Sequence, residues 1–312
     1  MGADDDQPLG AARPRAAGHT AADTAGSAPP RITTVVGAGV MGRGIAYVSL
    51  VAGAETRLID LDAEQLESAV HRIHADLAVG VDRGKVDAEV ARRAYDDLAT
   101  STDLAAGCDG ADVVIEAVAE RIDVKREVLA TAERHASAEA VLATNTSSMS
   151  ITEIIAALDD PSRGVGMHFF NPVPKMKLVE LVRGLQTSPA TMDRAEATAQ
   201  AMGKQTVRVE DVPGFATSRI NALIGNEAMH MLDEGVASAE DIDTAIKLGL
   251  NHPMGPLEMG DLVGWDTRLE ILTYLESTLG ERFRPTNLHR RMVAAGRLGR
   301  KSGEGIYRYD DA

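Results

Sequence analysis

The chain has 312 residues, of which 44% are hydrophobic and 25% charged, with a formal net charge of -15. That length suits one large or two ordinary domains with an ample core, in a composition typical of soluble globular proteins. The acidic balance argues against nucleic-acid binding through phosphate neutralisation, and no apolar run approaches the length of a membrane span.

Residues 1–30 are rich in Ala, Gly, Asp, Pro and Thr without an apolar period, so a disordered tail is expected there, with no secretory core. Ile32 to Val36 is a β-branched run, consistent with a buried parallel strand. Gly37-Ala-Gly-Val-Met-Gly42 follows at once and opens a helix from Val40 to about Ala52. Gly37 permits the tight turn, Gly39 lets a pyrophosphate approach the backbone, and Gly42 lets helix and strand pack closely. The N–H groups at that helix start, from Val40 and Met41 onward, then face the phosphates. A second strand, Glu55 to Ile59, ends in Asp60, placed to accept hydrogen bonds from a ribose 2′-hydroxyl and to repel a 2′-phosphate. Strand, glycines, helix, strand and acid in this order point to NAD as cofactor. Arg43 has two readings, a pyrophosphate contact or a solvated helix residue, and the second is preferred.

Helices are predicted over Ala63 to about Val79 and Asp87 to Leu98, with Arg83 and Lys85 on the connection between them as solvated charges or contacts to a phosphorylated ligand. Cys108, the single cysteine, has no base in its Gly-Cys-Asp-Gly setting and reads as structural, which fits a cytoplasmic location. Further strands are predicted at Ala111 to Ile115 and Val141 to Ala143, flanking a helix from Ile122 to His135. Thr144-Asn-Thr-Ser-Ser148 lies at a strand's C-terminal end, where ligands bind in open parallel sheets, and Ser147 or Ser148 also suits the N-cap of a helix from Ile151 to Leu158.

Val165 to Phe170 and Leu178 to Val182 read as strands, and Asn171-Pro-Val-Pro174 between them breaks the ladder. If the chain folds back near Pro174, His168 and Glu180 are equidistant from the fold and face each other. A carboxylate beside an imidazole fixes its tautomer and stabilises the imidazolium, which equips it as a general base. The alternative is a satisfied core histidine beside an incidental glutamate.

Together Gly37 to Gly42 with Asp60, Asn145-Thr-Ser-Ser148, His168-Phe-Phe-Asn-Pro-Val-Pro174 and Leu178-Val-Glu180 resemble the 3-hydroxyacyl-CoA dehydrogenase family, the bacterial 3-hydroxybutyryl-CoA dehydrogenases most closely, from Ile32 to Tyr309. The resemblance implies a Rossmann-type α/β domain with added antiparallel strands and an all-α C-terminal domain. It implies His168 as catalytic base, Glu180 as its partner and Ser147 as a donor to the substrate oxygen. It also places Glu120 and Lys125 near the cofactor and Asn145 on the nicotinamide side, with an acyl-CoA as substrate, no metal, and a homodimer formed through the helical domain.

A helix from Met192 to Met202 and a strand from Gln205 to Val209 precede Asp211-Val-Pro-Gly214, read as the hinge between domains 31–212 and 213–312. Phe215 to about Leu232 reads as a long helix apolar nearly all round, and Ser238-Ala-Glu-Asp241 as a capping box. One departure stands out. Relatives usually carry an asparagine after Pro-Gly-Phe that helps hold substrate and base, and Ser218 occupies that position here. The expected reaction is (S)-3-hydroxyacyl-CoA plus NAD+ giving 3-oxoacyl-CoA and NADH. Its rivals are a dehydrogenase of a free 3-hydroxy or sugar acid, as among lambda-crystallin-like enzymes, and a non-catalytic NAD-binding dimer.

Overall fold

The structure is a computed structural model describing residues 29–309, so the tail expectation for residues 1–28 lies outside the described residues. In chain order the first half comprises β1 (Ile32–Val36), α1 (Val40–Val51), β2 (Glu55–Ile59), α2 (Ala63–Asp82), α3 (Ala88–Asp96), β3 (Leu98–Ser101), α4 (Leu104–Cys108), β4 (Val113–Glu116), α5 (Ile122–His135), β5 (Val141–Thr144) and α6 (Ile151–Ile155). The sheet is completed by β6 (Gly164–Phe169), β7 (Leu178–Arg183) and β8 (Gln205–Glu210), with α7 (Pro189–Ala201) between the last two. Its order is β3-β2-β1-β4-β5-β6-β7-β8.

Strands β1 to β6 run parallel, β7 is antiparallel to β6, and β8 is parallel to β7. The proline turn therefore reverses the sheet direction only after β6, so the hairpin adds one antiparallel junction rather than two. β1 and β4 are buried along their whole length, as strands covered on both faces must be. Ile45, Ile73, Leu77 and Met192 fill the core on one side of the sheet, and Leu129, Ile154, Ile155 and Cys108 fill the other. Burial pushes the Cys108 thiol up to about 12, in keeping with a structural role.

Beyond β8 come α8 (Thr217–Asp233), α9 (Ala239–Gly249), α10 (Pro256–Val263), α11 (Trp265–Leu279) and α12 (Asn287–Ala294), closing on Met229, Leu257, Trp265 and Met292. The closing segment is held by buried Asp261, whose carboxylate accepts from Ile306 N, Tyr307 N and the Tyr309 hydroxyl. Among the described residues no helix is long and apolar enough to cross a membrane.

Several expectations need correction. The helix begun at Asp87 ends at Asp96, and Leu98 opens the edge strand β3 instead, half-exposed and short of apolar alternation. The N-cap of α6 is Ser150, not Ser147 or Ser148, with its Oγ accepting from Glu153 N. Phe215 lies at φ 48, outside the helical region, so α8 starts at Thr217. That helix also has an exposed apolar residue, Ile220, and its buried face combines small and polar side chains, including Ala222, Gly225 and Asn226, with Met229.

Candidate active site

The glycine turn satisfies the steric conditions of a dinucleotide cradle. Gly37 sits at φ 106, where L side chains are strained. A Cβ at Gly42 would collide with the Gly37 carbonyl oxygen, whereas a Cβ at Gly39 would meet nothing within 4 Å. Gly39 is the N-cap of α1 and provides no side-chain cap, and the first turn has no acidic residue. The helix dipole and its free N–H groups thus open onto empty space, which fits a pyrophosphate. Asp60 stands beside this turn, its Oδ2 accepting from Ala38 N at 2.7 Å and its Oδ1 from Asp62 N at 3.1 Å.

The register of the hairpin pairs Gly166 with Val182, Met167 with Leu181, His168 with Glu180 and Phe169 with Val179. Side chains of one antiparallel pair lie on the same face, and here Nδ1 of His168 is 2.8 Å from Oε2 of Glu180. The imidazole is 6% exposed and packs against the rings of Phe170 at 4.4 Å and Phe215 at 5.9 Å. Its Nε2 has no hydrogen-bond partner among the described residues.

Glu180 is fully buried. Besides His168 it accepts from Ala216 N at 3.2 Å, Thr217 N at 2.9 Å and the Thr217 hydroxyl at 2.9 Å. Burial alone would raise its carboxyl, but the hydrogen bonds from His168 and Thr217 outweigh that and hold it below the usual carboxylate range. Thr217 joins the pair without having been singled out from sequence. Ser218, one residue on, instead lines a small cavity with Asn221 and Arg268.

The turn after Phe169 is fixed from below. Lys204, buried, donates from Nζ to the carbonyls of Val173 at 2.6 Å and Met176 at 2.9 Å. Val173 packs on Gly44 of α1, where a Cβ would come within 2.8 Å of its side chain. This glycine, outside the motif, lets the His168 hairpin approach the helix that follows the glycine turn.

Two clefts flank this junction. One of about 780 Å³ is lined by Met41, Glu120, Lys125, Asn145, Ser147 and residues of α11 including Ile271 and Tyr274. Asn145 ties its wall to the hairpin, its Oδ1 accepting from Phe169 N at 2.9 Å. Lys125 is buried between two carboxylates, with Nζ 2.8 Å from Glu116 Oε1 and 3.0 Å from Glu120 Oε2. Glu120 also accepts from the Thr146 hydroxyl and from Ser147 N, so this charge cluster shapes the loop presenting Ser147. Glu116, with no role assigned from sequence, is fully buried and accepts from Val118 N, Lys125 and the Thr144 hydroxyl. The second cleft, of about 670 Å³, has Arg43, Arg83, Lys85, Lys175 and Lys177 among its lining residues and is open to anionic ligands. No metal-binding cluster of His, Cys, Asp and Glu occurs among the described residues.

Comparison with known proteins agrees with this architecture. Residues 32–212 match the family model of the 3-hydroxyacyl-CoA dehydrogenase NAD binding domain, and residues 214–309 match the model of the 3-hydroxyacyl-CoA dehydrogenase C-terminal domain. A probable 3-hydroxybutyryl-CoA dehydrogenase of Bacillus subtilis is 44% identical over 278 residues, covering 89% of this chain and 96% of the relative. The 3-hydroxybutyryl-CoA dehydrogenase of Bradyrhizobium diazoefficiens is 42% identical, covering 89% and 95%. The crystal structure of an (S)-3-hydroxybutyryl-CoA dehydrogenase from Ralstonia eutropha superposes with a TM-score of 0.87 at 40% identity, covering 90% of this chain and 100% of that one. With both domain models matched in sequence, the chain belongs to the 3-hydroxyacyl-CoA dehydrogenase family.

Proposed function

We propose that the protein interconverts (S)-3-hydroxyacyl-CoA and 3-oxoacyl-CoA with NAD, taking short chains such as 3-hydroxybutyryl-CoA, and that His168 is its general base. The observation that carries this is the buried His168–Glu180 pair, whose second ring nitrogen has no hydrogen-bond partner among the described residues. When bound, the dinucleotide supplies the acceptor for the hydride leaving C3. Nε2 of His168 removes the hydroxyl proton as the C3–O bond gains double-bond character. Glu180, an acceptor on the Nδ1 side, offsets the charge of the resulting imidazolium. Ser147, on the cleft wall, donates to the substrate oxygen, and Asn145 orients the nicotinamide side. Gly37, Gly39, Val40, Met41, Gly42 and Asp60 hold the dinucleotide, with Glu120 and Lys125 shaping the loop beside it.

The basic cleft suits the phosphates of coenzyme A, which the acidic whole would otherwise repel. Exposed Ile220, Leu248 and Leu250 in the helical part support a homodimer formed through the domain from residue 213. A cytoplasmic setting accords with the one cysteine being free and buried. The deciding experiment follows NADH oxidation with acetoacetyl-CoA and then with acetoacetate. Turnover of the thioester alone is expected, and turnover of the free acid alone would assign the protein to free hydroxy acids instead.

A further inference from the structure

Within the helical part, Arg268 of α11 is 5% exposed and has no carboxylate within 4.0 Å among the described residues. Its guanidinium donates only to Asn221, from Nη1 to the carbonyl at 3.4 Å and from Nη2 to Oδ1 at 3.2 Å, and Nε has no partner. Lys125, by contrast, lies between two carboxylates, and buried Lys204 donates to two backbone carbonyls at 2.6 and 2.9 Å, both closer than either bond of Arg268. An uncompensated buried cation is costly, and a fold that retains one has a use for it.

The surroundings of Arg268 are arranged to keep it. Gly225 lies in the interior of α8, where glycine disfavours the helix, and a Cβ there would collide with Nη1. The indole of Trp265 lies 5.9 Å from the guanidinium carbon. Arg268 lines a cavity of about 50 Å³ with Ser218, Ala222 and Leu272, which has room for a carboxylate-sized group. Ser218 follows Thr217, which bonds Glu180, and Ile271 lines both the cavity and the cleft that holds Ser147 and Asn145.

We propose that this cavity receives a carboxylate at the far end of the acyl chain, so that beyond the shortest substrates the protein prefers 3-hydroxyacyl-CoA thioesters ending in a carboxylate over those ending in a methyl group. The inference rests on the dehydrogenase reading of the preceding subsection. Desolvation lowers Arg268 to about 10, which leaves it a cation at neutral pH and short of the counter-charge such a substrate brings.

The test compares kcat/KM for 3-oxohexanoyl-CoA and 3-oxoadipyl-CoA, chains of equal length that differ in the terminal group, with acetoacetyl-CoA as reference. Wild type is expected to favour 3-oxoadipyl-CoA on the order of 10- to 100-fold, the worth of a charge-assisted hydrogen bond. Arg268→Met is expected to remove that preference, and Arg268→Lys to keep part of it. Normal turnover of acetoacetyl-CoA with a wild-type preference for 3-oxohexanoyl-CoA overturns the proposal and leaves the dehydrogenase reading standing. Failure on all three thioesters takes both down. Equal losses on both six-carbon substrates in Arg268→Met, or a changed oligomeric mass by light scattering with the preference intact, would place the arginine in folding or subunit pairing and equally overturn the proposal.

Discussion

Thr217 donates its hydroxyl at 2.9 Å to Oε2 of Glu180, the same oxygen that lies 2.8 Å from the imidazole of His168. The first residue of α8 is thus bonded directly to the carboxylate that meets the imidazole. Thr217→Val keeps the shape and removes the donor. It is expected to cost about 1 kcal/mol of stability, the usual net worth of such a bond, and to lower kcat several-fold. Urea unfolding and steady-state kinetics on the same preparation check the two effects.

His168→Ala is expected to lower turnover on the order of 10²- to 10⁴-fold, the typical contribution of a general base. NADH binding, followed by fluorescence titration, should survive, because the ring has no hydrogen bond to the glycine turn among the described residues. Wild-type turnover in this variant would end the assignment of the base.

Glu180 links stability to pH. Its carboxyl is held below the usual range in the folded state, so it contributes stability that is fully present above the ordinary value of about 4.3 and is lost as pH falls through the folded value. Glu180→Gln lacks that contribution. The difference in melting temperature between wild type and variant should be largest near neutral pH and shrink below about pH 4. A constant gap across this range would contradict the linkage.

Lys125→Met leaves Glu116 buried without its cation, and removing one member of such a pair typically costs about 3–5 kcal/mol. Denaturant midpoints should fall accordingly. Adding Glu116→Gln should recover part of the loss, which is measured by a double-mutant cycle.

Two glycines should separate fold from cofactor. Gly42→Ala strikes the Gly37 carbonyl and should unfold or severely destabilise the protein. Gly39→Ala has open space at φ -65, so the fold should stand while the added methyl group, in the path of the pyrophosphate, weakens NADH binding. Calorimetry with and without NADH distinguishes the two.

The parts of this molecule that were legible in sequence are those governed by neighbours along the chain. Pro172 and Pro174 mark where the ladder must stop, and counting outward from them places His168 against Glu180. The glycine spacing carries its own steric logic. What escaped depends on residues remote in sequence. Leu98 to Ser101 becomes a strand only because it lies along the edge of β2. Glu116 gains meaning from Lys125 on the next helix, and Thr217 rather than Ser218 meets Glu180 because Phe215 leaves the helical region and delays the start of α8. Arg268 shows no sequence signal, since its isolation follows from which helices surround it.

The segment read as a hinge is anchored at both ends. Asp211 accepts from Ile151 N, Thr152 N and the Ser150 hydroxyl at the start of α6, and six residues later Thr217 is held by Glu180. A joint clamped on both sides has little slack. Any wide swing of the helical part must either bend the helices beyond Thr217 or release the carboxylate bonded to the imidazole, so if His168 is the base we propose, an enzyme caught wide open is also one that has been disarmed.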